Sequence, residues 1–100
     1  MEFLVEIDIA PIPDDVRDAV MEAERVRGLE LIAAGAIARI WRIPGRRANV
    51  GIWVAQDASA LHAAIASLPA HPWMDVRVTP LAVHPLEAGE SPNGEPRVDT

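Results

Sequence analysis

The sequence contains no cysteine and no lysine, and these two absences exclude several kinds of chemistry. Without cysteine there can be no disulfide framework, thiol nucleophile or thiolate metal site. Because all nine basic residues are arginine, Schiff-base and lysine-nucleophile mechanisms are excluded as well. The formal net charge of −6 lacks the basic surplus that phosphate backbones demand, so nucleic acid is not an expected partner.

Long apolar runs are also absent from the sequence. None approaches the roughly 20 residues that span a bilayer, and the opening MEFLVEIDIA carries acids rather than the basic residues of a secretory signal. We therefore expect a cytoplasmic protein that does not bind a membrane. The length of 100 residues, half of them hydrophobic, is typical of one small globular domain. We assign this domain to residues 1–85, and we expect residues 86–100, rich in Pro, Gly and Glu, to be either flexible or an arm ordered by a neighbouring subunit.

The periodicity of apolar residues predicts six elements. Alternation in EFLVEIDIA predicts a strand with one buried face. Acidic residues after Pro13 are suited to the N-terminus of a helix, and Gly35 is suited to its C-terminal end, which predicts a helix over about residues 14–34. Two apolar runs, at about residues 36–43 and 49–55, flank a Pro-Gly turn and predict a hairpin. A short helix capped by Asp57 or Ser59 and a last alternating run, WMDVRVTPLAV, complete the order β-α-β-β-α-β.

This order of elements predicts a ferredoxin-like α+β sandwich, in which a four-stranded antiparallel sheet carries two helices on one face. The other sheet face would then be bare. Residues 50–54, VGIWV, show no polar alternation, so that face is too apolar for a monomer. We therefore expect a homo-oligomer, at minimum a dimer whose sheets pack face to face.

Charged residues interrupt the apolar stripe that we predict for the first helix, which consists of Val16, Val20, Ala23, Leu31 and Ala34. Arg27 falls within this stripe and Glu24 lies at its edge, which a plain surface helix would avoid. Partial burial there would raise the pKa of the Glu24 carboxyl toward the operating pH and make it usable as both base and acid. The alternative is that Glu24 is a solvated helix residue paired with a nearby arginine.

Several short motifs from the hairpin onward occur together: Trp41-Arg42, Ala48-Asn49, Leu61-His62, Leu68-Pro69, Pro72-Trp73-Met74-Asp75 and His84-Pro85. With the Glu24-Arg25 pair of the first helix, they resemble the muconolactone delta-isomerase family, and the matches run from about Phe3 to Pro85. The sequence departs from the family pattern at Arg39, Arg46, Arg47 and His71. These changes either shift the preference among small lactones or are surface drift.

The resemblance implies a ferredoxin-like subunit that assembles through dimeric α+β barrels into a decamer and needs no metal or organic cofactor. It implies an isomerase of the intramolecular oxidoreductase class, which transposes a C=C bond. The family's reaction, in the 3-oxoadipate route of aromatic catabolism, converts muconolactone to 3-oxoadipate enol-lactone. A proton leaves the ring carbon that carries the carboxymethyl group and returns beside the lactone carbonyl. This chemistry needs one group acting as base and acid, donors for an oxyanion and a cation for the carboxylate.

Glu24 is therefore our first candidate for the catalytic proton shuttle, and His62 is the second. We predict that Arg42 binds the substrate carboxylate, because an arginine beside a tryptophan in a β-ribbon can be held by stacking and present its planar fork. Arg39 and Arg47 are its alternatives. The predicted substrate contacts are completed by Trp41 and Asn49.

Each candidate also has a purely structural interpretation. Arg42 would be a strand residue facing water, Trp41 ordinary core, and His62 a residue bonded to the backbone. The histidines at positions 62, 71 and 84 form no metal-binding motif.

The rival function is a non-catalytic small-ligand-binding or assembly module of the same dimeric fold, since fold does not determine function. The position of Glu24 distinguishes the two functions. An enzyme would have Glu24 and an arginine facing one enclosed cavity, whereas a Glu24 that points to bulk solvent would favour the binding or assembly module. If the protein is an enzyme, its substrate is muconolactone, a methyl or chloro relative, or another small acid.

Overall fold

A computed structural model describes residues 1–87, and the predicted tail therefore lies almost entirely outside the described residues. The elements are β1 (Glu2–Ile9), α1 (Asp14–Ala33), β2 (Ile37–Arg42), β3 (Ala48–Val54), α2 (Ala58–Ala66) and β4 (Met74–Leu81), with a 3-10 turn at His71–Trp73. The four strands form one antiparallel sheet in the order β2-β3-β1-β4. The predicted ferredoxin-like α+β fold is confirmed.

The alternation in β1 decides which face of the sheet receives the helices. Phe3, Val5 and Ile7 are each at most 2% exposed and belong to one core cluster with side chains of both helices. Trp53, the partner of Phe3 in the sheet register, is buried in the same cluster. Both helices therefore cover the same face of the sheet, as the sequence predicts.

The first helix ends where the sequence predicts, at a glycine. Gly35 has a φ of +80°, in the left-handed region where residues with a Cβ are strained. The Gly35 N–H donates to the carbonyl of Ile32, and the Ala36 N–H donates to that of Leu31. These two bonds are a Schellman motif, which satisfies the last carbonyls of the helix and turns the chain into β2.

The predicted core stripe of α1 is partly wrong. Val16, Ala23 and Ala34 are exposed, whereas the inward face consists of half-buried or buried residues, namely Val20, Glu24, Arg27, Gly28 and Leu31. Those five positions recur at helical spacing on one side of the helix. Two residues of this inward face, Glu24 and Arg27, hydrogen bond to the segment that follows α2.

The hairpin places its strand residues on two opposite faces. Arg42 pairs with Asn49 in the register of β2 and β3, and Trp41 pairs with Val50. The register of the two strands shifts between Ile37 and Arg39. The strands lie close together beside this shift, where a Cβ on Gly51 would lie 2.6 Å from the carbonyl oxygen of Arg39. Asn49 also pairs with the buried Ile7 of β1, so Arg42 and Asn49 lie on the face that the helices cover.

The opposite face of the sheet is apolar at its centre and carries exposed side chains. Val54 is 41% exposed and Trp41 is 45% exposed. Leu4 pairs with Ile52 on the same face.

None of the helices within residues 1–87 is long and apolar enough to cross a membrane.

Candidate active site

A cleft of about 620 Å³ lies between the N-terminal part of α1, the end of β1 and the β2–β3 hairpin, and we call it the hairpin cleft. Its polar lining residues are Glu24, Asn49, Arg17, Arg42, Arg46 and Arg47. Apolar side chains, including Ile12, Met21, Ile40 and Trp41, form the remaining wall. One carboxyl group, four guanidinium groups and one amide thus line a largely apolar cavity, an arrangement suited to a small organic anion.

Glu24 is held by a backbone N–H of the segment between α2 and β4. Its Oε1 accepts a hydrogen bond of 2.8 Å from the Ala70 N–H. Burial raises the pKa of Glu24, and the Ala70 N–H opposes this rise because it stabilises the ionised form. Within residues 1–87 Glu24 forms no salt bridge, so the solvated pairing with a nearby arginine is not what the structure has.

The Ala70 N–H differs from its neighbours along the chain in donating to a side chain, that of Glu24. The N–H groups of Leu68, His71 and Trp73 all donate to carbonyl oxygens, and Pro69 and Pro72 have no N–H. Ala70 is fully buried, and a buried donor without an acceptor is costly. The Glu24 carboxyl supplies that acceptor, which leaves Oε2 without a hydrogen-bond donor among the described residues.

The four arginines of the cleft differ in their partners. Arg17 forms an ion pair with Asp14, and Arg46 forms one with Asp8. Arg42 and Arg47 form no salt bridge within residues 1–87. Two cations that line the cleft are therefore not neutralised by a described carboxylate and are available to an anionic ligand.

The amide of Asn49 is a second polar group available in the cleft. Its Oδ1 is buried and has no hydrogen-bond partner among the described residues. Rotation of the amide about its last torsion would exchange oxygen for nitrogen at that position. A buried polar atom normally has a hydrogen-bond partner, so the unpaired side-chain amide of Asn49 is consistent with a hydrogen bond to a ligand.

Arg39 lies outside the hairpin cleft and makes the stacking contact that we predicted for Arg42. Its guanidinium carbon is 4.8 Å from the centre of the Trp41 ring. The reason is strand alternation, which places residues 39 and 41 on the bare face of the sheet and residue 42 on the other. Trp41 also lines the cleft. It can do so from the bare face because β2 is an edge strand, so no further strand separates its side chain from the cleft.

His62 lies in a second cleft of about 390 Å³, between α2 and β4. There it lies beside His71, with 6.5 Å between the two ring centres. The remaining walls are apolar and include Leu61, Ile65 and Val76. The structure therefore brings Glu24, Arg42, Arg47, Trp41 and Asn49 together but separates His62 from them. Residues 1–87 contain no cluster of three or more side chains able to hold a metal ion.

The sequence-based reasoning missed several contributors to the site, among them Arg17, Met21 and Ile40 of the cleft wall. Ala70 acts through its backbone N–H, which no side-chain pattern reports. Ile12, which lies between Pro11 and Pro13 and is 6% exposed, could have been found as the one large aliphatic residue in the short connection from β1 to α1.

Comparison with known proteins points to one family. The model of the muconolactone delta-isomerase family matches residues 1–87. The muconolactone delta-isomerase of Rhodococcus opacus is 36% identical over 86 residues, which cover 82% of this chain and 91% of that protein. Muconolactone delta-isomerase 1 of Acinetobacter lwoffii is 35% identical over 89 residues, which cover 85% and 92% respectively. A crystal structure of muconolactone isomerase, 27% identical, matches 97% of this chain and 100% of its own with a TM-score of 0.78.

Proposed function

Because the chain belongs to the muconolactone delta-isomerase family, we propose that it moves the ring double bond of muconolactone to give 3-oxoadipate enol-lactone. The observation that supports this function is the meeting of Glu24 with Arg42 and Arg47 in one cleft. A carboxyl group with a raised pKa and two available cations match the needs of proton transfer within a carboxylated lactone.

In the proposed mechanism, Glu24 carries one proton between two ring carbons. Ionised Glu24 removes the proton from the ring carbon that bears the carboxymethyl group, which breaks a C–H bond and leaves a dienolate. The resulting carboxylic acid then protonates the carbon beside the lactone carbonyl and becomes ionised again. Since the Ala70 N–H occupies Oε1, we assign the proton to Oε2. The raised pKa favours the first step, because it stabilises the protonated carboxyl that this step produces.

The anionic parts of the substrate are assigned to the other side of the cleft. Arg42 binds the carboxylate through a charge-assisted hydrogen bond, with Arg47 as the alternative. The amide of Asn49 donates to the lactone oxygen, where the dienolate charge develops. Met21, Ile40 and Trp41 contact the ring. Arg39 contributes indirectly, through its contact with the Trp41 ring.

Incubation of the protein with muconolactone in deuterated water tests this function. We expect enol-lactone to form, with some deuterium entering at the carbon beside the lactone carbonyl. Methyl and chloro lactones in the same assay would rank the substrates of the enzyme. Saturable binding of the lactone without conversion would instead support the rival function, a non-catalytic ligand-binding module.

We also propose that the protein is a homo-oligomer, at minimum a sheet-to-sheet dimer and in its full assembly a decamer. The apolar side chains exposed on the bare sheet face, including Trp41 and Val54, support this proposal because a monomer would leave them in water. Light scattering should give at least twice the subunit mass of 10.8 kDa. Val54→Glu should lower that mass without changing the circular dichroism spectrum. A mass of 10.8 kDa for the unmodified protein at micromolar concentration would contradict the proposal.

The cytoplasmic location stays a prediction.

A further inference from the structure

The hydroxyl of Ser67 joins α1 to the end of α2. Its oxygen accepts a hydrogen bond of 3.0 Å from Nε of Arg27, and its proton is donated to the carbonyl of Ala64 at 2.6 Å. Ser67 is the C-terminal cap residue of α2 and precedes Ala70 by three positions. Arg27 is one turn beyond Glu24 on the same face of α1. The helix is thus attached to one short segment twice, through Arg27 to Ser67 and through Glu24 to Ala70.

The segment between these two attachments is tightly held. The N–H of Ser67 donates to Ala63, and that of Leu68 donates to Ile65. Pro69 restricts its own φ angle. Leu68 and Ala70 are both buried, at 5% and 0% exposure. A displacement of Ser67 is therefore passed along the chain to the Ala70 N–H rather than absorbed between them.

We propose that Ser67 is a positioning residue for the isomerisation: by binding Arg27, its hydroxyl fixes the segment that presents the Ala70 N–H to Glu24, and so fixes which carboxylate oxygen is free to move the proton. This inference rests on the proposed role of Glu24 as the base. Loss of the Ser67 hydroxyl loosens the bond between Ala70 and Glu24. Because that bond favours the ionised carboxylate, its loosening raises the pKa of Glu24 further.

The charged groups that share the cleft with Glu24 are unaffected by a change at Ser67. They are Arg17 of α1, Arg42 of β2 and the turn residues Arg46 and Arg47. Arg27 keeps its charge in a Ser67 variant but loses its Ser67 partner, so a change in the titration of Glu24 reports the contact with Ala70 together with any movement of Arg27.

The experiment compares Ser67→Ala with Ser67→Thr, which keeps a hydroxyl, and with Ser59→Ala as a matched control in the first turn of α2. The Glu24 carboxyl is titrated by carbon-13 NMR in the free enzyme and assigned by its absence in Glu24→Gln. For Ser67→Ala we expect the Glu24 midpoint to move to higher pH and the acid limb of kcat/KM to move with it. We expect kcat to fall roughly 2- to 10-fold, the range expected for one net hydrogen bond, with little change in KM. Ser67→Thr should recover most of kcat, and Ser59→Ala should match wild type.

Arg27→Gln provides an independent test of the same contact. Arg27→Gln removes the contact with Ser67 and also a positive charge one turn from Glu24, so the Glu24 midpoint should move to higher pH at least as far as in Ser67→Ala. Adding Ser67→Ala to Arg27→Gln should then move the midpoint little further, because their shared contact is already lost.

The possible results separate this inference from the proposed role of Glu24. If Ser67→Ala leaves the Glu24 midpoint unchanged, the inference is overturned whatever happens to kcat, since Ser67 then serves only stability. If the midpoint moves and kcat does not, Ser67 positions the carboxyl but Glu24 does not transfer the proton, and the inference about isomerisation is overturned together with the proposed base.

Discussion

Glu24→Gln should lower kcat for muconolactone isomerisation by about 10²–10⁴-fold, the loss typical of a removed general acid–base group. The substitution keeps the shape of the side chain, and its amide oxygen can still accept the Ala70 N–H, so the subunit should remain folded. What is lost is a group that can take up the proton and release it again. Turnover of the purified variant, together with its thermal unfolding curve, measures both parts of this expectation.

The matched control for this prediction is Glu22→Gln. Glu22 is exposed on the same helix and pairs with Arg25, outside the hairpin cleft. It should retain wild-type turnover. If Glu24→Gln stays within about threefold of wild type while His62→Gln loses activity, the base lies in the second cleft and our assignment is wrong.

The pH dependence of the wild-type enzyme follows from the same assignment. Only ionised Glu24 can remove the first proton, so kcat/KM should rise with pH as Glu24 loses its own proton. Burial raises the pKa of Glu24, and this rise therefore places the acid limb at higher pH than an ordinary glutamate would give. An acid limb at or below the ordinary glutamate range would contradict Glu24 as the base.

A single carboxyl shuttle also has an isotopic consequence. Removal and return by one group require both events on the same face of the ring. Substrate deuterated at the donor carbon should then carry part of its label into the product whenever exchange with solvent is slower than transfer. Complete washout of the label at every pH would favour exchange with water or a second acid.

Arg42→Ala should raise KM for muconolactone by removing a charge-assisted hydrogen bond to its carboxylate. A loss of about 1.5–3 kcal/mol is typical of a bond to a charged group and corresponds to a roughly 10- to 150-fold change in affinity. Arg42→Lys should recover only part of this, because an ammonium group cannot reproduce the planar two-point contact. Steady-state kinetics of the two variants measure the effect.

Arg25→Ala is the matched control for Arg42, since Arg25 is exposed and pairs with Glu22 away from the cleft. Its KM should equal that of wild type. If Arg42→Ala and Arg42→Lys both keep wild-type KM, Arg47 becomes the candidate for the carboxylate. Arg47→Ala in the same assay would then show the larger rise.

Local sequence patterns predict the elements of this fold because each element depends on contacts within a few residues. The alternation of Phe3, Val5 and Ile7 predicts a strand with one buried face, and that face is the one that the helices cover. Gly35 predicts the end of α1 because a left-handed residue is needed there. The same reasoning was only partly right for the α1 stripe: Val20 and Leu31 face inward as predicted, but Val16, Ala23 and Ala34 are exposed. Glu24 and Arg27 of the inward face hydrogen bond to a distant segment.

The sequence by itself determined the order of the elements, the family and the identity of Glu24 and Arg42 as candidates, since these follow from periodicity and from motifs read along the chain. Only the tertiary structure decided how the candidates are grouped. Glu24 and Ala70 are 46 positions apart, and their contact arises from packing α1 against the segment after α2. Likewise the separation of His62 from Glu24, and the stacking of Arg39 rather than Arg42 on Trp41, depend on which cleft and which sheet face each residue reaches. Distances between remote segments depend on how the whole chain packs, and no local pattern encodes them.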